Sequence, residues 1–390
     1  GRSDNGNGGP GKAYPVIIQG GMGAGVSNWR LANAVARTGQ MGVVSGTALD
    51  LIFARRLQDG DPGGNMCRAL EHFPVPEIAE RIISWYFIPG GKGPDEPYKP
   101  IPKYSITPGM RLQELTVAAN FAEVWLAKEE SSGPVGVNLL EKIQLPNIFS
   151  LYGAMLAGVD FVLMGAGIPR EIPGVLDQLA RHDETSLRIN VADAPGDKNF
   201  RIHFDPRKLI SRELPPLKRP EFLAIVASFT LALTLIKKSA GKVNGFIIEG
   251  PTAGGHNAPP RGPLQLDDQG EPLYGPKDVV DLSRIKDLGL PFWVAGSCAN
   301  PESLKKMREL GAIGVQAGTL FAYCEESGFA EDLKRAVCQK ATRGEAEVFT
   351  DPVASPTNFP FKVVLLEGTN SEKETYESRP RKCDLGYLHQ

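Results

Sequence analysis

The sequence predicts an α/β fold, a (β/α)8 TIM barrel with segments inserted after its second and fourth strands. Three observations lead there. Eight short, almost wholly apolar runs recur along the chain, as parallel strands buried on both faces require. Helical stretches with their own end signals separate them. Four of the runs end in glycine-rich turns, where the active face of such a barrel lies. Strand–helix alternation repeated eight times favours a closed barrel over a sandwich. A doubly wound open sheet is the alternative.

Taken in order, residues 1–13 are glycine-rich and polar and read as a disordered segment. The barrel spans 14–344. Its first strand is Pro15–Gln19, followed by a helix with Ser27 as N-cap and Gly39 just past its end. The later strands are Met41–Ser45, Val135–Leu139, Asp160–Met164, Phe222–Val226, Gly245–Glu249, Phe292–Ala295 and Ile313–Gln316. After the seventh, Asn300-Pro301-Glu302 supplies an N-cap, a proline at the first helical position and an acid near the positive helix end, and Gly311 closes the helix. The helix after the fifth ends in Lys237 and Lys238, then Gly241. The insertion at 51–110 is rich in proline and glycine. That at 183–221 holds two alternating runs, 186–191 and 199–204, able to pair as a hairpin. Both are expected to overhang the catalytic face and shape the pocket. Residues 345–390 form a C-terminal extension packed on the barrel.

Forty-three basic against 45 acidic residues give a net charge of −2, with no basic run, so neither nucleic acid nor a membrane surface is an expected partner. The longest apolar stretch, 222–236, is broken by Ser228, Thr230 and Thr234 and is too short to cross a bilayer. No secretion signal opens the sequence. Five scattered cysteines without a CxxC pair point to a reducing, cytoplasmic setting. The histidines do not cluster either, and no metal is expected. Nothing here sets the oligomeric state.

The chemistry gathers at the strand ends. The first ends in Gln19-Gly-Gly-Met-Gly-Ala-Gly25, the sixth in Glu249-Gly-Pro-Thr-Ala-Gly-Gly-His256, the seventh in Ala295-Gly-Ser-Cys298 and the eighth in Gln316-Ala-Gly-Thr319. Glycine admits close backbone approach and φ > 0, and exposed N–H groups can then grip a phosphate. Turns after strands seven and eight match the usual phosphate site of a barrel. The bland alternative is that these glycines only make tight turns. A dinucleotide fingerprint is absent, because Val26 stands where G-x-G-x-x-G needs glycine or alanine, and no P-loop occurs.

His256 ends a glycine turn straight after a strand, where a side chain projects into the pocket mouth and imidazole can exchange a proton or pair with an anion. His72, His182, His203 and His389 have no such setting and read as structural or solvated. Asn138, inside an apolar strand, needs a partner that either a ligand or backbone could supply. Ser45, Ser228 and Met164 are weaker candidates of the same kind. Cys298 lacks a base placed by the sequence.

These strand-end motifs resemble the nitronate monooxygenase (2-nitropropane dioxygenase) family and the related flavin-dependent enoyl-reductases. The matching pieces are Pro15–Gly23, Glu249–His256, Val294–Ser297 and Gly314–Thr319, so the likeness runs from strand one to strand eight. The resemblance implies FMN bound without covalent linkage. It implies Gly21, Met22 and Gly23 against the flavin ring and Asn138 hydrogen-bonding near it. Gly254 and Gly255, the Ala295-Gly296-Ser297 turn and the Gln316-Ala317-Gly318-Thr319 turn would follow the ribityl chain and phosphate. It implies His256 facing a small-molecule substrate. In that scheme a nitronate gives an electron to FMN, and O2 completes its oxidation to a carbonyl compound and nitrite. The family turn G-x-E-A-G-G-H has Thr252 in place of its glutamate here, and Asn257-Ala-Pro-Pro260 follows the histidine. Three readings stay open: oxidation of a nitronate or similar carbanion-stabilised substrate, NAD(P)H-dependent reduction of a conjugated carbonyl, and a non-catalytic barrel that binds a phosphate ligand.

Overall fold

A computed structural model describes residues 13–191, 195, 199–210, 212–355 and 359–380. The glycine-rich N-terminal stretch, apart from Ala13, lies outside the described residues, as do Cys383 and His389.

Ten strands lead up to the C-terminal segment. They are β1 (Ile17–Gln19), β2 (Gly42–Ser45), β3 (Val135–Leu140), β4 (Phe161–Gly165), β5 (Thr185–Arg188), β6 (Arg201–Phe204), β7 (Glu221–Val226), β8 (Gly245–Glu249), β9 (Phe292–Ala295) and β10 (Gly314–Ala317). Eight of them, all but β5 and β6, form one parallel sheet in the order β1-β10-β9-β8-β7-β4-β3-β2. The sheet closes on itself. Gln19 N donates to Met41 O at 2.9 Å and Met41 N to Ile17 O at 3.1 Å, which joins β1 to the entry of β2. The result is the (β/α)8 barrel read from the strand pattern.

Alternate residues of each strand face inward. Ile18, Val43, Leu163, Leu223, Ile247 and Trp293 fill the barrel as one dry cluster. Trp293 plugs its lower end, donating Nε1–H to Pro15 O at 2.8 Å and packing edge-on against Tyr14. The larger core lies between strands and helices, with the helices Met110–Lys128 and Gln144–Leu156 at its centre.

The first helix, Trp29–Ala36, corrects one expectation. Asn28, not Ser27, is its N-cap, accepting from Leu31 N. Ser27 is fully buried and braces the β1 turn instead, accepting from Met22 N at 2.9 Å and Gln19 Nε2 at 3.1 Å.

The insertion after β2 is more regular than its prolines suggest. Helices Leu49–Gln58, Asn65–Glu71 and Pro76–Tyr86 pack against Met110–Lys128. Buried Glu123 of Met110–Lys128 ties two neighbours to it, taking hydrogen bonds from Arg56 Nη1 of Leu49–Gln58 at 2.7 Å and from Trp29 N of the first helix at 2.8 Å. The runs near 186–191 and 199–204 do pair, as the antiparallel hairpin β5–β6. It starts beside the C-terminal end of helix Ile172–Ala180 and climbs to the N-terminal ends of two outer helices. There Arg201 and Arg188 N meet Glu171, and Asn190 N meets Gln144 Oε1.

Beyond β10, helix Glu331–Arg343 leads to the hairpin β11 (Val348–Asp351) and β12 (Phe361–Val364). This hairpin pairs with the turn that follows β8. Lys362 N donates to Gly255 O at 3.0 Å, and Asn257 N to Pro360 O at 2.8 Å.

Candidate active site

The uppermost inward positions of the barrel carry four polar side chains, Ser45, Asn138, Glu249 and Gln316, among small or apolar residues that include Ala295 and Ile225. Register sets their spacing. Ser45 pairs with Asn138 across β2 and β3, while Gln316 and Glu249 flank Ala295 across β10, β9 and β8. Adjacent strands lie about 4.8 Å apart, so the backbones that carry the carboxyl and the amide stand some 10 Å apart with Ala295 between them.

The glycine turns converge above these residues. A Cβ on Gly318 would lie 3.8 Å from Met22 Cγ, which places the β10 turn against the β1 turn. One on Gly254 would lie 3.7 Å from Thr319 Oγ1, and one on Gly296 would lie 2.9 Å from Ala253 N and Thr252 Oγ1. The β8, β9 and β10 turns are therefore neighbours. Gly255 (φ 71°), Gly296 (φ 111°) and Ser297 (φ 49°) hold left-handed backbone, a strained state for Ser297. The N–H groups of Gly254, Gly255, Gly296, Ser297 and Gly318 make no hydrogen bond among the described residues. Five N–H donors on three touching turns thus lack a partner among the described residues, the kind of grouping that can hold an anion.

Beside these donors, Gly21 lies hard against Asn138, since a Cβ there would come within 2.3 Å of Asn138 Cβ. The Asn138 amide has no partner among the described residues. Gln316 turns its side chain inward beneath Gly20, and its Oε1 is buried with no hydrogen bond. Ala317 serves the turn through its carbonyl, which accepts from Gly20 N at 2.8 Å. Gly23 and Thr319 are exposed, Thr319 against Gly254 and Gly23 on the β1 turn.

His256 leaves the β8 turn half-buried, with Nε2 2.7 Å from Ser355 Oγ and its ring edge-on to Phe361, 4.9 Å between centroids. Burial lowers its pKa below the ordinary 6.5, so the imidazole is neutral at pH 7. Glu249 stands at the end of the same strand, and burial pushes its carboxyl up to about 8. Tyr274, pushed up to about 12 chiefly by burial, donates to Ala258 O at 3.0 Å within the loop that follows His256.

Other candidates fall away. Cys298 is buried, its thiol donates to Val294 O at 3.2 Å, and burial raises its pKa, so it is no nucleophile. Ser228 caps the helix Phe229–Lys238. Met164 is packed in the core. His182 is structural, held between Tyr152 Oη at 2.8 Å and Pro215 O at 2.9 Å. His72 stacks on Trp125. Among the described residues no three His, Cys, Asp or Glu side chains gather as metal ligands, and no helix is long and apolar enough to cross a membrane.

Sequence reasoning passed over Glu249 and Ser355. The first was visible as the one charged residue ending an apolar strand at an inward position. The second carries no local signal, because it reaches His256 from 99 positions away.

The chain is similar to a protein described as a probable nitronate monooxygenase from Staphylococcus haemolyticus, 31% identical over 122 residues. That match spans 31% of this chain and 32% of the relative. No family model matches. Among solved structures, the nitroalkane oxidase from Streptomyces ansochromogenes aligns over 90% of this chain and 78% of its own at 15% identity and a TM-score of 0.46. FabK from Thermotoga maritima aligns over 90% and 71% at 16% identity and a TM-score of 0.45.

Proposed function

We propose that this protein is an FMN-dependent oxidoreductase of the nitronate monooxygenase type, oxidising a nitronate or similarly carbanion-stabilised small molecule with O2. The observation that carries this reading is the group of five unpaired N–H donors beside inward-facing Asn138 and Gln316, with His256 on the same β8 turn. The short stretch of similarity to a probable nitronate monooxygenase supports it.

The residues suit FMN. The amides of Gly254, Gly255, Gly296, Ser297 and Gly318 would hold its single phosphate. Met22 and Gly21 would bear on the ring, with Gly23 beside them. The Asn138 amide and the orphaned Gln316 Oε1 would meet the polar ring edge, and Ala295, Ala317 and Thr319 would line the path between. Bound flavin supplies an electron acceptor for the substrate carbanion.

The chain's own part is to bind, orient and manage protons. A neutral His256 donates one N–H to a substrate oxygen, or takes a proton from the carbon acid that precedes the nitronate. Ser355 occupies Nε2 and so fixes the ring plane. Phe361 and the β11–β12 hairpin cover the imidazole on one side and keep water from it.

Denaturing the purified protein and chromatographing the released chromophore tests the cofactor. FMN, not FAD, is expected. Colourless protein that takes up no added FMN would favour the non-catalytic phosphate-binding barrel.

A further inference from the structure

A cavity of about 160 Å³ opens between the turn after β7 and the loop that follows β8. It is several times the ~30 Å³ share of one water molecule, enough for a small organic group. Its walls are largely apolar, with Leu231, Pro251 and Pro259 among them. The polar side chains that reach it are Ser228, Glu249, Arg261, Tyr274 and Asp278. Ser228 Oγ accepts from Leu231 N at 3.1 Å, which leaves its own O–H to donate. Arg261 has an exposed guanidinium whose side-chain contact is a long 3.4 Å bond to Ala227 O. Asp278 is already engaged by Arg261 N and Gly275 N. The Glu249 carboxyl lines the same space and has no hydrogen bond or ion pair among the described residues.

We propose that this cavity is a binding subsite for the anionic oxygen end, a carboxylate or nitronate, of a small substrate, with Ser228, Arg261 and the Glu249 carboxyl as the groups that meet it. A protonated carboxyl hydrogen-bonds strongly to an anionic oxygen, and the bond is lost when the carboxyl ionises. The inference deepens the proposed function by naming which part of the substrate sits here, but the site binds whether or not flavin chemistry follows. The ionisable groups around Glu249 are Arg261, Tyr274, Asp278 and His256. The β7 turn and Ala295 of β9 bring none. Burial holds His256 below its ordinary pKa and pushes Tyr274 up to about 12, so Glu249, pushed up to about 8, is the group around the cavity expected to change charge most between pH 6.5 and 9.5.

Propionate, ionised throughout that range, is the probe, titrated by ligand-observed NMR into the protein as isolated. Its Kd is expected to rise at least tenfold from pH 6.5 to 9.5. Glu249→Gln keeps a donor that cannot ionise and is expected to hold one Kd at both. Arg261→Met, a change to an exposed side chain, is expected to weaken propionate at both. No binding by the native protein, equal native affinity at the two pH values, or a Glu249→Gln protein with the native pH dependence would each overturn the subsite. Should Glu249→Gln fail to fold, the native comparison and Arg261→Met decide it. Because no turnover is measured, a failure here leaves the release of FMN as a separate result.

Discussion

His256 Nε2 and Ser355 Oγ stand 2.7 Å apart, so a residue of the C-terminal hairpin holds the histidine presented by the sixth barrel strand. The contact gives the two residues distinct signatures. His256→Ala should leave flavin content near normal and cut turnover by roughly 10²–10⁴-fold, the span for losing a general acid or base. Ser355→Ala should cost about 1 kcal/mol of stability, the net worth of one such hydrogen bond, and lower turnover less. With Ser355 shortened, water reaches the imidazole and its depressed pKa rises toward 6.5. The acid limb of the kcat–pH profile should therefore move to higher pH. A Ser355→Ala profile superposable on the native one would separate the hairpin from the chemistry.

Gly318 isolates ligand approach from backbone strain. Its φ is −113°, open to any residue, so left-handed conformation is not what requires glycine there. A side chain would meet only the far end of Met22 at 3.8–4.0 Å. Gly318→Val should therefore keep its melting temperature within a few degrees while weakening FMN, because the valine methyls would crowd the unpaired N–H groups. Tight FMN binding by a well-folded Gly318→Val protein would move the phosphate elsewhere.

Gly21→Ala is expected to behave in the opposite way. The added carbon would fall 2.3 Å from Asn138 Cβ, and a Cβ cannot rotate away without moving the backbone that carries it. A loss of about 1–3 kcal/mol, the range for overpacking, should appear in denaturant melts before any cofactor is considered.

Glu249 makes the fold sensitive to alkali. Its folded pKa of about 8 lies above the unfolded 4.5, so its contribution is full below pH 4.5 and is lost as pH rises through 8. Glu249→Gln should melt above the native protein at pH 9 and lose that advantage at pH 5. A difference that does not change with pH would mean that the carboxyl is solvated at its ordinary pKa.

Much of this was legible in the sequence, for reasons that differ by element. The eight strands stand out because both faces are buried, which leaves apolar runs such as Phe246-Ile-Ile248 unbroken. The β9 helix was legible because Asn300, Pro301 and Gly311 each mark an end chemically. At Ser27 and Asn28 two cap-competent residues sit side by side, and tertiary demand for a brace at Met22 N decided between them. The helices of the 49–86 segment were hidden by the proline and glycine cluster that follows, although Ile78, Ala79, Ile82 and Tyr86 keep helical spacing. The Ser355 contact was beyond reach, since no periodic pattern encodes a meeting of two loops.

The most direct test of the central claim is anaerobic mixing of the purified protein with a nitronate while flavin absorbance is followed, with NADH and NADPH in parallel. Bleaching near 450 nm by the nitronate, recovery on admitting O2 and no bleaching by either nicotinamide are expected. Reduction by NADH or NADPH with none by the nitronate would contradict the claim and make the protein a flavin reductase of conjugated carbonyls.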